Sequence, residues 1–458
     1  MERGLSDGGV IGWDGGMSSS SPVSASASVS LSALGGRARP PAITALMQAA
    51  LETPGLLSLA AGFTDNATLP VTAVGEALAR LTAAGAGAEF LQYGTNAGRP
   101  GLRAALAARV LAQDAVAVGA PPPDEAAVAA RAGQTFVTNG SQQALYLAIQ
   151  TLCEPGDLVL VDRPSYFVFL ELLGGLGVEA RSLPVDGSGR LDGAGLAALL
   201  RGLGESGGRR RLKAVYFVSW FSNPSGRTLD VAEKRLLAEV LRAEGCVVPV
   251  IEDAAYRELG YEASAASACP GVLGDAAWAG FPRLYTGTLT KPFATGLKVG
   301  YGMCDDAGWR SAMLHVKGHH DFGTANFSQA LLERALVDGD FERQLSILRR
   351  AYREKRDALH SALEAGGLAR LGWRWRVPAG GLYLWLEGPA GLETGSESAF
   401  CRACLREGVL YVPGELCHGD APAKNTVRLS FGVLAPDALA EAGARFCLAA
   451  RSCAGNIA

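Results

Sequence analysis

The chain has 458 residues, 48 % hydrophobic and 19 % charged, with a formal net charge of −3, as expected of a globular protein with two or three domains and a large core. A near-neutral balance without basic runs argues against nucleic acid as the main partner. No uninterrupted span of roughly 20 apolar residues is present, so a soluble protein without a transmembrane helix is expected.

The first 36 residues are Gly/Ser-rich, lack periodicity and carry no apolar signal region. They read as a disordered tail, with cytoplasmic location as the expectation and an organelle transit peptide as the alternative. ITALMQAALE (43–52) has helical apolar spacing, LLSLAAGFTDNATLP (56–70) reads as a short strand running into a loop, and VGEALARLTAAG reads as a helix. A Gly-rich loop containing Tyr93 leads to a helix starting near Pro100, where proline suits the first turn. AVAVGAPPPDEAAVAARAG reads as a surface connection with room for one helical turn.

Short apolar, β-branched runs follow at 135–140, 158–164, 178–185, 213–220, 247–254, 283–290 and 298–304, most of them separated by helical segments. This alternation predicts an α/β fold whose large domain has a mainly parallel seven-stranded sheet flanked by helices. From about Gln344 a long helix leads to strands in WRWRVP, GLYLWLEG and NTVRLSFG, a smaller α+β domain. The expected layout is a tail (1–36), a segment joining the small domain (37–70), a large domain (71–340) and a small domain (341–458).

Ligands in such sheets bind at the carboxyl ends of the strands. Those ends carry Asn139-Gly140-Ser141-Gln142, then Tyr166, then Asn223-Pro224-Ser225-Gly226 and Asp253-Ala254-Ala255-Tyr256. Thr288, Thr290, Lys291 and Lys298 complete the series in YTGTLTKPFATGLKVGYG. Each motif alone is weak; their order, each at a strand end, describes a cofactor cradle. Gly140, Ser141 and Gln142 open a helix, where free backbone N–H groups favour an anion.

With these motifs, the stretch from about 42 to 445 resembles the pyridoxal phosphate enzymes of fold type I, and more closely the class I/II aminotransferases of the kynurenine/2-aminoadipate kind. The resemblance implies that pyridoxal 5′-phosphate is the cofactor, held by Lys291 as a Schiff base, with Lys291 also the base that moves the α-proton. It implies that Asp253 faces the pyridine nitrogen, that Asn223 and Tyr256 face the phenolate oxygen, and that Tyr166 stacks on the ring. Gly140, Ser141, Gln142, Thr288, Thr290 and Lys298 would hold the phosphate. Relatives usually carry arginine where Lys298 stands, so a point charge replaces a bidentate fork. Arg428 would fork the substrate α-carboxylate, with Gly62 bringing backbone close to it. Tyr93 resembles a tyrosine that reaches the phosphate of a neighbouring subunit, which implies a homodimer.

The partners so implied are an α-amino acid and a 2-oxo acid. Elimination, replacement, cyclising or oxidative chemistry on the same cradle is the alternative. A binding protein fused to a DNA-binding module is disfavoured by the short tail and by the presence of Lys291. Relatives acting on acidic side chains often carry arginine in a Ser-x-x-Arg segment where Pro41-Ala42-Ile43-Thr44 stands here, which favours a neutral donor. No metal is expected: Cys401-x-x-Cys404 lacks a second pair and suits a helix face, while His319 and His320 in VKGHHDFG (316–323) read as a loop without a third ligand. The nine scattered cysteines read as reduced thiols.

Overall fold

The computed structural model describes residues 29–42, 44, 48, 53–83 and 87–454; most of the expected helix at 43–52, and residues 1–28, lie outside these. A short strand β1 (Leu57–Ser58) precedes the large sheet, which comprises β2 (Thr135–Asn139), β3 (Leu158–Val161), β4 (Glu179–Ser182), β5 (Leu212–Val218), β6 (Val250–Asp253), β7 (Arg283–Thr288) and β8 (Val299–Cys304). Their order is β2-β8-β7-β6-β5-β3-β4. Only β8 runs against its neighbours, β2 and β7.

Both faces of this sheet are covered, so its strands are apolar almost throughout rather than alternating. The pleat sorts side chains between two cores. Val215 and Phe217 of β5 enter one core, while Ala214, Tyr216 and Val218 enter the other. Helices Gly140–Leu152, Phe167–Leu176, Gly193–Glu205 and Val231–Ala243 form the crossovers. Asp192 and Asp230 cap the last two, accepting from Gly195 N at 3.0 Å and Glu233 N at 2.9 Å.

The helix Asp340–Ala365 buries Leu345, Leu348, Tyr352, Leu359 and Leu363 along one stripe, against the C-terminal helix Pro436–Ala454. A four-stranded sheet follows, built from β9 (Arg374–Trp375), β10 (Tyr383–Glu387), β12 (Val412–Pro413) and β13 (Thr426–Ser430) in the order β12-β13-β10-β9. Between them in the chain, β11 (Val409–Leu410) pairs in parallel with β1.

Four local expectations change. The segment read as a connection holds a nine-residue helix, Glu125–Gly133, because the Asp124 carboxylate accepts from Ala127 N at 2.7 Å. VKGHHDFG is not a loop: its first six residues end the helix Ala307–Asp321, capped by Asp306 and braced by the buried Lys317 pairing with Asp321 at 2.9 Å. His319 and His320 sit on its exposed side. The strand in WRWRVP shortens to Arg374–Trp375. The tail boundary at 36 falls inside a helix, Ala33–Arg37, which Ser32 caps. Arg37 Nε reaches Gly175 O at 3.3 Å, so this stretch lies on the large sheet's helical layer. Cys401 and Cys404 lie buried on the helix Ala399–Arg406, as their spacing predicts.

Candidate active site

The carboxyl ends of β2, β5, β6 and β7 open on one cleft, lined by Asn139, Gly140, Ser141, Gln142, Tyr166, Asn223, Asp253, Tyr256, Thr288, Thr290, Lys291 and Lys298, with Val218 and Ala255 between them. The cavity measures about 170 Å³. Topology explains the gathering. Because β8 runs antiparallel to β7, the connection that leaves β7 with Lys291 returns Lys298 to the same sheet edge.

The helix Gly140–Leu152 begins where β2 ends, and its first N–H, from Gly140, donates to Lys298 O at 2.5 Å. The approach is so close that a Cβ on Gly300 would lie 2.3 Å from the Gly140 carbonyl carbon, so only glycine fits there. Around this helix start stand Lys298 and a hydroxyl pair, Thr288 Oγ1 and Thr290 Oγ1, at 2.5 Å. Backbone N–H groups, hydroxyls and an ammonium are what a phosphate needs.

Lys291 Nζ donates to Gly62 O at 2.5 Å. Burial lowers its pKa to about 8, and the positive charges of Lys298 and Arg428 push the same way. Asp253 ends β6. Its neighbour Glu252 points to the other face and pairs with Lys234 at 2.7 Å, whereas Asp253 has no cationic partner among the described residues. Asp253 accepts from Ala255 N at 3.0 Å and Tyr216 OH at 3.1 Å, and burial raises its pKa to about 6. Such a carboxylate suits a cationic ligand atom.

Arg428, on β13, is 1 % exposed. It donates from Nη1 to Asn223 Oδ1 at 2.9 Å and from Nη2 to Ala60 O at 2.6 Å, while Nε has no partner. No acidic group of the described residues pairs with it. A buried guanidinium held by neutral acceptors is poised for an anion. Gly62 lies over Lys291, and Tyr166 lies at the start of the helix Phe167–Leu176.

Tyr93 is not brought to this cleft. It is 80 % exposed and meets Phe322 edge-on, ring centroids 5.8 Å apart. Three residues that sequence reasoning passed over belong to the site's surroundings. Tyr216 bonds Asp253. Asp162, at the end of β3, accepts from Ser165 OH at 2.5 Å and Val218 N at 3.1 Å, and burial pushes its pKa up to about 7. Tyr383, on β10, bonds the Tyr256 hydroxyl at 3.0 Å. Asp162 directly follows LVLV, so the rule that finds Asp253 at a strand end also finds it; nothing local marks the two tyrosines.

A family model described as aminotransferase class I and II matches residues 54–446. The chain is 28 % identical to the aromatic-amino-acid aminotransferase 1 of Thermococcus litoralis, over 85 % of this chain and 87 % of that one. It is 29 % identical to the 2-aminoadipate transaminase of Thermus thermophilus, over 85 % and 89 %. The crystal structure of LysN, the α-aminoadipate aminotransferase of Thermus thermophilus complexed with N-(5′-phosphopyridoxyl)-L-leucine, superposes with a TM-score of 0.74 at 27 % identity, covering 92 % of this chain and 97 % of that one.

Proposed function

This chain belongs to the class I and II aminotransferases, which use pyridoxal phosphate, and on that premise we propose that it transfers the amino group of a neutral α-amino acid to a 2-oxo acid through Lys291. One observation carries the reading: a single cleft holds an amine of lowered pKa, a buried carboxylate lacking a cation, and a helix start ringed by hydroxyls and an ammonium. The residues fit the cofactor. Ser141, Gln142, Thr288, Thr290 and Lys298 would hold the phosphate, with the Gly140 N–H, expected from the sequence to be free, instead tying the helix start to Lys298 O. Asp253 would face the pyridine nitrogen, Asn223 and Tyr256 the ring oxygen, and Tyr166 the ring face. The cofactor, when bound, supplies a carbonyl that carries the amino group and a ring that accommodates negative charge.

The protein supplies binding, orientation and proton movement. With a pKa near 8, about a tenth of Lys291 Nζ is free base at pH 7, so this amine would hold the cofactor at its carbonyl carbon and, when free, would take a proton from the substrate Cα. Arg428 would orient the α-carboxylate in place of Asn223 Oδ1, and Gly62 O would hold the released ammonium of Lys291. Asp253, buried, keeps a proton on the ring nitrogen more easily than water does.

The neutral donor is supported by the Pro41-Ala42-Ile43-Thr44 segment, which offers no second guanidinium. A dimer in which Tyr93 reaches a neighbouring site is supported by that residue's exposure. The contribution of 37–70 to a small body (341–458), set apart from a large one (71–340), is supported by the pairing of β1 with β11. Nine free cysteines support a cytoplasmic setting.

The test is a half-reaction. Protein loaded with pyridoxal phosphate is mixed with single amino acids and no 2-oxo acid, and spectrum and product are followed together. One equivalent of 2-oxo acid, with pyridoxamine phosphate left behind, is expected. A product that has lost a side-chain substituent would overturn transamination in favour of elimination.

A further inference from the structure

From the contacts of Tyr383 we propose that it is a positioning residue of the site, acting through the Tyr256 hydroxyl and the Arg428 guanidinium. The proposal rests on the reading of the cleft given above.

Tyr383 is 1 % exposed and comes from β10, outside the large sheet. Its hydroxyl meets that of Tyr256 at 3.0 Å, with the two rings edge-to-face and their centroids 5.7 Å apart. Tyr256 lines the cleft, and Tyr383 reaches it through that hydroxyl. The Arg428 guanidinium lies over the Tyr383 ring, 4.4 Å from its centroid. Register explains the meeting: on the antiparallel pair β10–β13, Tyr383 faces Ser430 and Arg428 faces Trp385. The Tyr383 oxygen also comes within 3.2 Å of where a Cβ on Gly62 would stand, the residue whose carbonyl receives Lys291 Nζ. One side chain thus touches the two groups assigned to the ring oxygen and the carboxylate, and fills the space beside the glycine that receives the reactive amine.

A hydroxyl has one hydrogen to give and two lone pairs to receive. The Tyr383 hydroxyl has Tyr256 as its hydrogen-bond partner. If Tyr383 donates, the Tyr256 hydrogen stays free to point into the cleft, where the ring oxygen of the cofactor needs a donor. The cation over the Tyr383 ring strengthens its O–H as a donor, and each bond in such a chain reinforces the next. The ring itself holds the guanidinium plane where a carboxylate must meet it. Tyr383 therefore sets the strength of one contact and the aim of another.

The experiment is a pH titration of the visible absorbance of the pyridoxal phosphate-loaded protein, with kcat and KM measured in parallel. Tyr383→Phe keeps the ring and removes the hydroxyl. Weaker donation from Tyr256 stabilises the anionic ring oxygen less, so the absorbance midpoint is expected to rise by about half a pH unit. kcat should fall several-fold, with KM for the amino acid nearly constant. Tyr383→Leu, which also removes the ring face, should raise KM about tenfold further. Because Tyr383 acts through Tyr256, Tyr256→Phe/Tyr383→Phe should titrate like Tyr256→Phe alone.

A Tyr383→Phe protein with the wild-type midpoint, or additive shifts in the double variant, overturns the proposal. Lys291→Ala separates this from failure of the underlying reading. If the wild-type protein shows no visible band that Lys291→Ala abolishes, the cleft assignment and this inference fall together. If the band behaves and only the Tyr383 shifts fail, this inference alone falls.

Discussion

Replacing Arg428 by lysine tests the carboxylate assignment at its centre. The guanidinium is fully buried and donates to Asn223 Oδ1 at 2.9 Å and to Ala60 O at 2.6 Å, between the rings of Tyr383 and Phe167 at 4.4 Å and 5.3 Å. Hydrogen bonds from a charged donor contribute about 1.5–3 kcal/mol each. Lysine keeps the charge but cannot serve the Ala60 carbonyl and both carboxylate oxygens together, so about 2–3 kcal/mol of substrate binding is lost. That corresponds to a fall of roughly 30- to 150-fold in kcat/KM for the amino acid. The loss should appear mainly in KM, because the carboxylate is held equally before and during proton transfer. Lysine keeps a positive charge beside Lys291, so the loaded Arg428→Lys protein should keep its visible band, with the midpoint moving as the contacts to Asn223 and Tyr383 change. Steady-state kinetics with the preferred amino acid, together with binding of an unreactive carboxylic acid, is the assay. A kcat/KM within twofold of wild type refutes the reasoning.

Further outcomes follow from the same geometry. Lys291 has a folded pKa lowered to about 8 from 10.5, so the cofactor-free protein bears a cost when this amine is charged. The cost is full below about pH 8 and is relieved as pH rises toward 10.5. Cofactor-free Lys291→Met should therefore be more stable than wild type by about 3 kcal/mol at pH 7, a gap that narrows above about pH 8 and closes at about pH 11 in urea titrations; a gap constant with pH would contradict this. Lys298→Arg, which restores a two-pronged donor beside the helix start, should lower the pyridoxal phosphate dissociation constant roughly threefold to tenfold, measured by fluorescence titration. Mixing Lys291→Ala with Tyr93→Ala protomers should restore roughly a quarter of the wild-type sites if Tyr93 serves a neighbouring subunit; no recovery after subunit exchange, checked by sedimentation, would count against that arrangement.

The seven strands of the large sheet were legible because burial on both faces leaves nearly uninterrupted apolar runs, which end in the polar residues that line the cleft. Lys291 and Asp253 stood out for the same reason: charge is conspicuous at the end of such a run. Other features lacked a local signal. The helix Glu125–Gly133 hides behind three prolines and an alanine-rich composition, and its cue is the single cap Asp124. VKGHHDFG reads as polar and Gly-containing, yet Lys317 is buried within it and completes an intrahelical ion pair. Tyr383 is separated from Tyr256 by 127 positions, so only the folded arrangement of the two sheets brings the hydroxyls together. Tyr216 reads as core in its strand, and it is core; its hydroxyl alone belongs to the site.

The bond from Arg428 to Asn223 has a consequence for which molecules can enter. A ligand taking the place proposed for it at Arg428 would displace a neutral amide oxygen that is already well placed, which makes that binding an exchange rather than a capture. A carboxylate wins that exchange because it brings negative charge to a buried cation. An amino-acid amide or a simple amine brings no better acceptor than the one it removes. On the proposed role of Arg428, compounds that carry an amino group but lack the acid would bind poorly, against a competitor built into the protein.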